Sequence, residues 1–301
     1  MTMVDRVQEP DREANKSSLR RLGIVGAGTM GRGIAWMAAR AGFTVIAVDV
    51  DEKARQALLD HARARAERAV GRGELSLEAA EAALRRLSAH EAPEALADSE
   101  AVIEAVYEAP DVKRSVFAAV EAAVDPATLL LTNTSSLSVT EIAAGLRRPE
   151  RLVGMHFFNP ADVMPLVEIV RAAQSDPAAV ATAVSLAESL GKTPIVVRDT
   201  PGFVVNRVAR AYYNESLRLI EWGQGKPEAI DALFEARGFK MGPFALQDLI
   251  GLDVNFATTS TVFAQTFYEP RFRPSLLQKA YVFAGRLGRK RGRGFYRYDD
   301  R

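Results

Sequence analysis

Apolar and polar positions alternate in two distinct manners along this chain, and the change between them divides it. Up to about residue 200, short apolar runs recur between amphipathic stretches. LGIV (22–25), FTVIAVD (43–49), AVIEAV (101–106), TLLLTN (128–133), RLVGMHF (151–157), LVEIV (166–170) and TPIVVRD (193–199) each read as a buried strand bounded by turn residues. Between them, helical periodicity predicts a helix from the glycines after Val25 to Gly42, one over about 111–124 and one over 176–190. Residues 52–88 are alanine-rich and charged, broken at GRG (71–73), and predict a pair of amphipathic helices. Strands alternating with helices imply a mainly parallel sheet with right-handed crossovers.

DTPGF (199–203) ends that pattern with a Pro-Gly pair. VVNRVARAYYNESLRLIEWG then reads as one long amphipathic helix, with further helices starting near Pro227, Phe244 and Pro274 and a basic, glycine-rich tail. The expected organisation is a polar, disordered tail over 1–18, an α/β domain over 19–200 and an all-α domain over 201–301.

Composition narrows the chemistry. The 301 residues carry a formal charge of +1, so no basic field points to nucleic acid. There are no cysteines, which removes disulfides and thiolate metal sites, and the three histidines (61, 90, 156) lack zinc-ligand spacing. No apolar run approaches the roughly 20 residues of a membrane span. A cytoplasmic protein without nucleic-acid, membrane or metal partners is the expectation.

Gly26-Ala-Gly28-Thr-Met-Gly31 fits G-x-G-x-x-G, and it follows a strand and opens a helix, the context that gives the pattern meaning. The first glycine permits the tight turn, the second lets backbone approach a pyrophosphate, and the third allows close helix–strand packing. Asp49 closes the second strand, where a carboxylate accepts hydrogen bonds from a ribose and repels a 2′-phosphate. Arg55 lies a turn into the next helix, so NAD is favoured over NADP.

Hydride transfer at a hydroxyl carbon also needs a proton acceptor near neutral pH, which suits histidine. His61 lies in a charged helix and reads as solvated; His90 sits in SAHEAPE, which reads as a polar loop before a strand. His156 alone ends an apolar strand, and Glu168 twelve positions later lies inside another. A carboxylate on the neighbouring strand would orient the ring and stabilise its imidazolium. NTSSLS (133–138) places hydroxyls and an amide at a strand end, either to bind a substrate oxygen or, for Ser138, to cap the following helix. Asn206, polar on an apolar helix start, either polarises a carbonyl or ties the linker.

GAGTMGRGIA, VIEAV with Glu108 and Lys113 beyond, NTSSLS, HFFNP…LVE, DTPGFVVNR, GPFALQDLIGLD and GRLGRKRGRGFY run in the order found in the 3-hydroxyacyl-CoA dehydrogenase family, over about residues 21–298. The chain resembles the short bacterial 3-hydroxybutyryl-CoA and 3-hydroxyadipyl-CoA enzymes of that family. The resemblance implies a Rossmann-type NAD-binding domain followed by an all-α domain that forms a homodimer. It implies His156 as general base, Glu168 as its partner, and Ser135 and Asn206 as ligands of the reacting oxygen. Gly26, Gly28, Met30, Gly31, Asp49, Glu108, Lys113, Asn159 and Lys290 match positions near the cofactor; read alone, Lys113 and Lys290 are solvated charges. Arg65 and Arg72 fall where the family places the coenzyme A nucleotide.

Asp162 and Ala211 stand where the family often has proline, and Tyr107 and Pro110 flank Glu108 where smaller or polar residues are common. These departures spare the proposed catalytic set and bear on the acyl group and its carrier. The leading expectation is an L-3-hydroxyacyl-CoA dehydrogenase of fatty acid metabolism. The same chemistry on a hydroxyacyl group, such as glyceryl, held by acyl carrier protein stays open, as do a sugar-acid dehydrogenase and a non-catalytic, crystallin-like NAD-binding protein.

Overall fold

The computed structural model describes residues 18–298. Apart from Ser18, the tail expected over 1–18 lies outside the described residues. The chain separates into two compact units, dividing between Asp199 and Thr200.

The first unit holds one eight-stranded sheet: β1 (Arg21–Val25), β2 (Thr44–Val48), β3 (Leu87–His90), β4 (Ala101–Glu104), β5 (Leu129–Thr132), β6 (Leu152–Phe157), β7 (Leu166–Arg171) and β8 (Thr193–Arg198). Their spatial order is β3-β2-β1-β4-β5-β6-β7-β8. The first six run parallel; β7 lies antiparallel to β6, and β8 parallel to β7. Every residue of β4, β5 and β6 is buried, as expected where helices cover both faces of a parallel sheet. The covering helices are α1 (Thr29–Arg40), α2 (Glu52–Gly71), α3 (Leu77–Arg85), α4 (Pro110–Ala123), α5 (Val139–Ala143) and α6 (Pro177–Ser189). Asp51, Ser76 and Asp176 cap α2, α3 and α6 by accepting from backbone N–H groups of the first turn.

Two expectations need correction here. Residues 87–90 are not the end of a helix or a polar loop. They form β3, the edge strand beside β2, in register Val45↔Leu87 to Val48↔His90. His61 is not a plain solvated side chain either. Its Nε2 is buried without a hydrogen-bond partner, and burial, then the charges of Arg65, Arg32 and Arg68, push its pKa down.

The second unit is helical: α7 (Val205–Glu221), α8 (Pro227–Glu235), α9 (Pro243–Ile250), α10 (Leu252–Gln265) and α11 (Leu276–Phe283). The periodicity reading did not separate α10 from α9. Gly251, at φ 104, allows the sharp break between them, a conformation open to few other residues. Leu217, Ile230 and Phe244 form a small core with Phe234, Phe295 and Tyr296 against it. The basic tail is drawn onto this core by Asp248, which is wholly buried and accepts from the N–H groups of Phe295 and Tyr296, both at 2.9 Å.

Candidate active site

All the loops that leave β1, β2, β4, β5 and β6 at their carboxyl ends lie on one edge of the sheet, because those strands are parallel. This edge is where open α/β sheets bind ligands. It carries Gly26–Gly31 after β1, Asp49 after β2, Glu108 after β4, Ser135 after β5 and His156 near the end of β6.

The three motif glycines are needed for three different reasons. Gly26 has φ +103, and a Cβ there would lie 2.6 Å from the carbonyl oxygen of Ala105. A Cβ on Gly31 would run into the carbonyl oxygen of Gly26, which locks the start of α1 against the end of β1. A Cβ on Gly28 would meet nothing within 4 Å. Its lack of a side chain therefore leaves open space in front of the α1 N-terminus, where first-turn N–H groups favour an anion. Met30 sits in that first turn and packs on the core.

Asp49 Oδ2 accepts from Ala27 N at 2.7 Å and Oδ1 from Asp51 N at 2.9 Å. Those bonds fix the carboxylate beside the glycine turn while leaving lone pairs for ribose hydroxyls. A cavity of about 480 Å³ lined by Gly26, Gly28, Asp49, Glu91, Ala105 and Tyr107 opens beside them. Open space at Gly28, an anion-favouring helix end and a fixed carboxylate are the features a dinucleotide requires.

A buried ionic cluster organises the next two loops. Glu104, at the end of β4, is wholly buried; its Oε1 accepts from Lys113 Nζ at 2.6 Å and its Oε2 from Thr132 Oγ1 at 2.7 Å. Lys113, on α4, is only 1% exposed and also lies 3.2 Å from Glu108 Oε2, so it is no solvated charge. Glu108 Oε1 accepts from Thr134 Oγ1 at 2.7 Å, Ser135 N at 2.8 Å and Ser136 N at 3.0 Å. Burial alone would raise the Glu108 pKa, but the Lys113 charge and those hydrogen bonds outweigh it and hold the carboxyl below its ordinary value. Glu108 and Lys113, matched to the cofactor by resemblance, here grip the loop that presents Ser135, whose Oγ lies 3.3 Å from Glu108 Oε1. Ser138 caps α5, accepting from Glu141 N, and donates to Asp199.

His156 and Glu168 face each other in the antiparallel ladder of β6 and β7, with His156 Nδ1 2.8 Å from Glu168 Oε2. Directly opposed residues project from the same face, so the pairing is set by strand register. Glu168 is wholly buried and His156 5% exposed. The Phe158 ring lies 4.6 Å from the imidazole, and Asn133 Oδ1 accepts from Phe157 N, tying the end of β6 to β5.

The remaining candidates belong to other segments of the chain. Asn159 is exposed in the loop after β6. Arg65, on α2, is ion-paired with Asp162 of that same loop. Arg72 is largely exposed and 3.8 Å from Glu74. In the helical unit, Asn206 occupies the first turn of α7, and Lys290 pairs with Asp253 at 2.6 Å. Among the described residues no cluster of side chains is suited to hold a metal ion. No described helix is long and apolar enough to cross a membrane.

Sequence reasoning missed Glu104 and Thr132 as organisers of the site. Their signal was a carboxylate closing one buried strand and a hydroxyl closing the next, at matched register Glu104↔Thr132.

Comparison with known proteins shows the family. Residues 21–200 match the model of the 3-hydroxyacyl-CoA dehydrogenase NAD binding domain, and residues 202–298 that of the 3-hydroxyacyl-CoA dehydrogenase C-terminal domain. The chain is 46% identical over 280 residues to 3-hydroxyadipyl-CoA dehydrogenase of Escherichia coli K12, covering 93% of this chain but only 59% of that protein. It is 39% identical over 284 residues to a probable 3-hydroxybutyryl-CoA dehydrogenase of Bacillus subtilis, covering 94% and 99%. The crystal structure of (S)-3-hydroxybutyryl-CoA dehydrogenase from Ralstonia eutropha superposes with a TM-score of 0.91 at 38% identity, covering 94% and 100%. The first unit is thus an NAD-binding Rossmann-type domain, and the chain belongs to the 3-hydroxyacyl-CoA dehydrogenase family.

Proposed function

We propose that the protein interconverts an L-3-hydroxyacyl thioester and its 3-ketoacyl form, with a short-chain coenzyme A ester such as 3-hydroxybutyryl-CoA as substrate. The observation that carries this reading is the His156–Glu168 pair, held on the same sheet edge as the dinucleotide cradle.

Gly26, Gly28 and the α1 N-terminus would hold the pyrophosphate of NAD, and Asp49 its ribose. Bound NAD supplies the hydride acceptor. His156 removes the proton of the 3-hydroxyl as C3 is oxidised to the ketone, and returns it in the reverse direction. With Nδ1 held by Glu168, Nε2 is the nitrogen that exchanges this proton. Glu168 keeps the ring oriented and offsets the charge of the imidazolium. Ser135, whose N–H Glu108 holds, would turn its one hydroxyl proton from Glu108 Oε1 to the reacting oxygen, and Asn206 of the helical unit is assigned the same task, both on family resemblance.

Relatives named for coenzyme A esters support that carrier over acyl carrier protein. Arg65 and Arg72 are assigned to its nucleotide on family resemblance alone. Trp222, Phe267, Leu276 and Phe283 of the helical unit are each more than 60% exposed, which supports burial of such side chains in a homodimer. The cytoplasm, where NAD and coenzyme A esters meet, is the compartment this reading implies, and fatty acid metabolism the setting. Oxidation of NADH with acetoacetyl-CoA tests the assignment. Turnover with the free coenzyme A ester supports it; binding of NADH with negligible turnover overturns it in favour of another carrier or substrate.

A further inference from the structure

Beside the NAD-binding cavity lies a charge arrangement that the glycine motif does not account for. Arg55, in the first turns of α2, is the cationic side chain that anchors beside Asp49. Its Nη1 donates to the backbone carbonyl of Asp49 at 2.7 Å, and its Nη2 lies 3.7 Å from Glu91 Oε2. The Arg55 side chain is 17% exposed, whereas Glu91 is 74% exposed and lines the cavity with Asp49. Glu91 reaches this place because β3 pairs with β2. Asp49 N donates to the carbonyl of His90, so the residue after β3 is carried next to the residue after β2.

A guanidinium near a ribose 2′ position is the group that ordinarily accommodates a 2′-phosphate. Here that guanidinium is occupied from two sides. We infer that Glu91 is a cofactor-selecting residue: it holds Arg55 against the Asp49 backbone, away from a 2′-phosphate. Exclusion of NADP then rests on two carboxylates, Asp49 by direct repulsion and Glu91 through Arg55. Glu91 acts by positioning Arg55; it is not a catalytic residue. This inference rests on the dinucleotide reading of the first unit and is independent of the thioester.

Calorimetric titration of the full chain with NADH and with NADPH tests it without any acyl substrate. In Glu91→Gln, the ratio of affinities should move toward NADPH by about 3- to 10-fold at low salt, the size expected for one exposed charge at this range. The shift should shrink as ionic strength rises. Adding Arg55→Ala to Glu91→Gln should abolish the gain, because the released guanidinium is its source. In an Asp49→Asn background, Glu91→Gln should again favour NADPH over Asp49→Asn alone. An unchanged ratio in Glu91→Gln, or a gain that survives removal of Arg55, overturns the proposal. Failure of acetoacetyl-CoA turnover would leave these titrations readable, so the two readings fail separately.

Discussion

Glu168 stands directly across the β6–β7 ladder from His156, and its Oε2 lies 2.8 Å from the imidazole Nδ1. One strand register therefore fixes the base and its orienting carboxylate together. Glu168→Gln keeps the shape but removes the charge that offsets the imidazolium. It should lower kcat about 100-fold or more while leaving NADH affinity within a small factor. Steady-state kinetics with acetoacetyl-CoA, paired with an NADH titration, checks the split; an equal loss in both would point to misfolding instead.

Two of the three motif glycines, Gly31 and Gly28, separate folding from binding. Gly31→Ala places a methyl against the Gly26 carbonyl, so backbone must shift, and both Tm and NADH binding should fall. Gly28→Ala meets nothing within 4 Å in the protein, so Tm should hold while the methyl crowds the pyrophosphate and NADH affinity drops at least about 10-fold. Thermal melts beside calorimetry distinguish the two.

Lys113→Met would leave Glu104 buried without its cation. Breaking one side of a buried pair costs about 3–5 kcal/mol, and urea titration should show a loss of that size. Adding Glu104→Gln should recover a large part of it, because the uncompensated charge is then gone.

Glu108 gives a pH-dependent counterpart. Its folded pKa lies below its ordinary value of 4.5, so its ionised form contributes stability that is present above the unfolded pKa and is lost as pH falls through the folded one. The stability gap between wild type and Glu108→Gln should be full at pH 7 and close progressively below about pH 4.5. Urea melts at several pH values measure it. A gap that widens on acidification would contradict the ion pair with Lys113.

Much of this site could be read in the sequence, and the parts that could not share a physical cause. The glycine turn, Asp49 and the His156–Glu168 pair announce themselves because polar or flexible residues interrupt otherwise apolar strands. β3 did not, since LSAH is four residues at an edge, held by backbone pairing with β2 rather than by a buried apolar face. With β3 unseen, the approach of Glu91 to Arg55 was hidden too. Lys113 lies in an ordinary amphipathic helix, and only its approach to Glu104, nine residues back, makes burial tolerable. The Arg65–Asp162 contact joins residues 97 apart in sequence, beyond any local pattern.

The account depends most on proton transfer at His156. With NADH saturating and acetoacetyl-CoA varied, wild type should turn over and His156→Ala should lose about 100- to 10,000-fold in kcat at unchanged NADH affinity. A variant that retains the wild-type rate would contradict it.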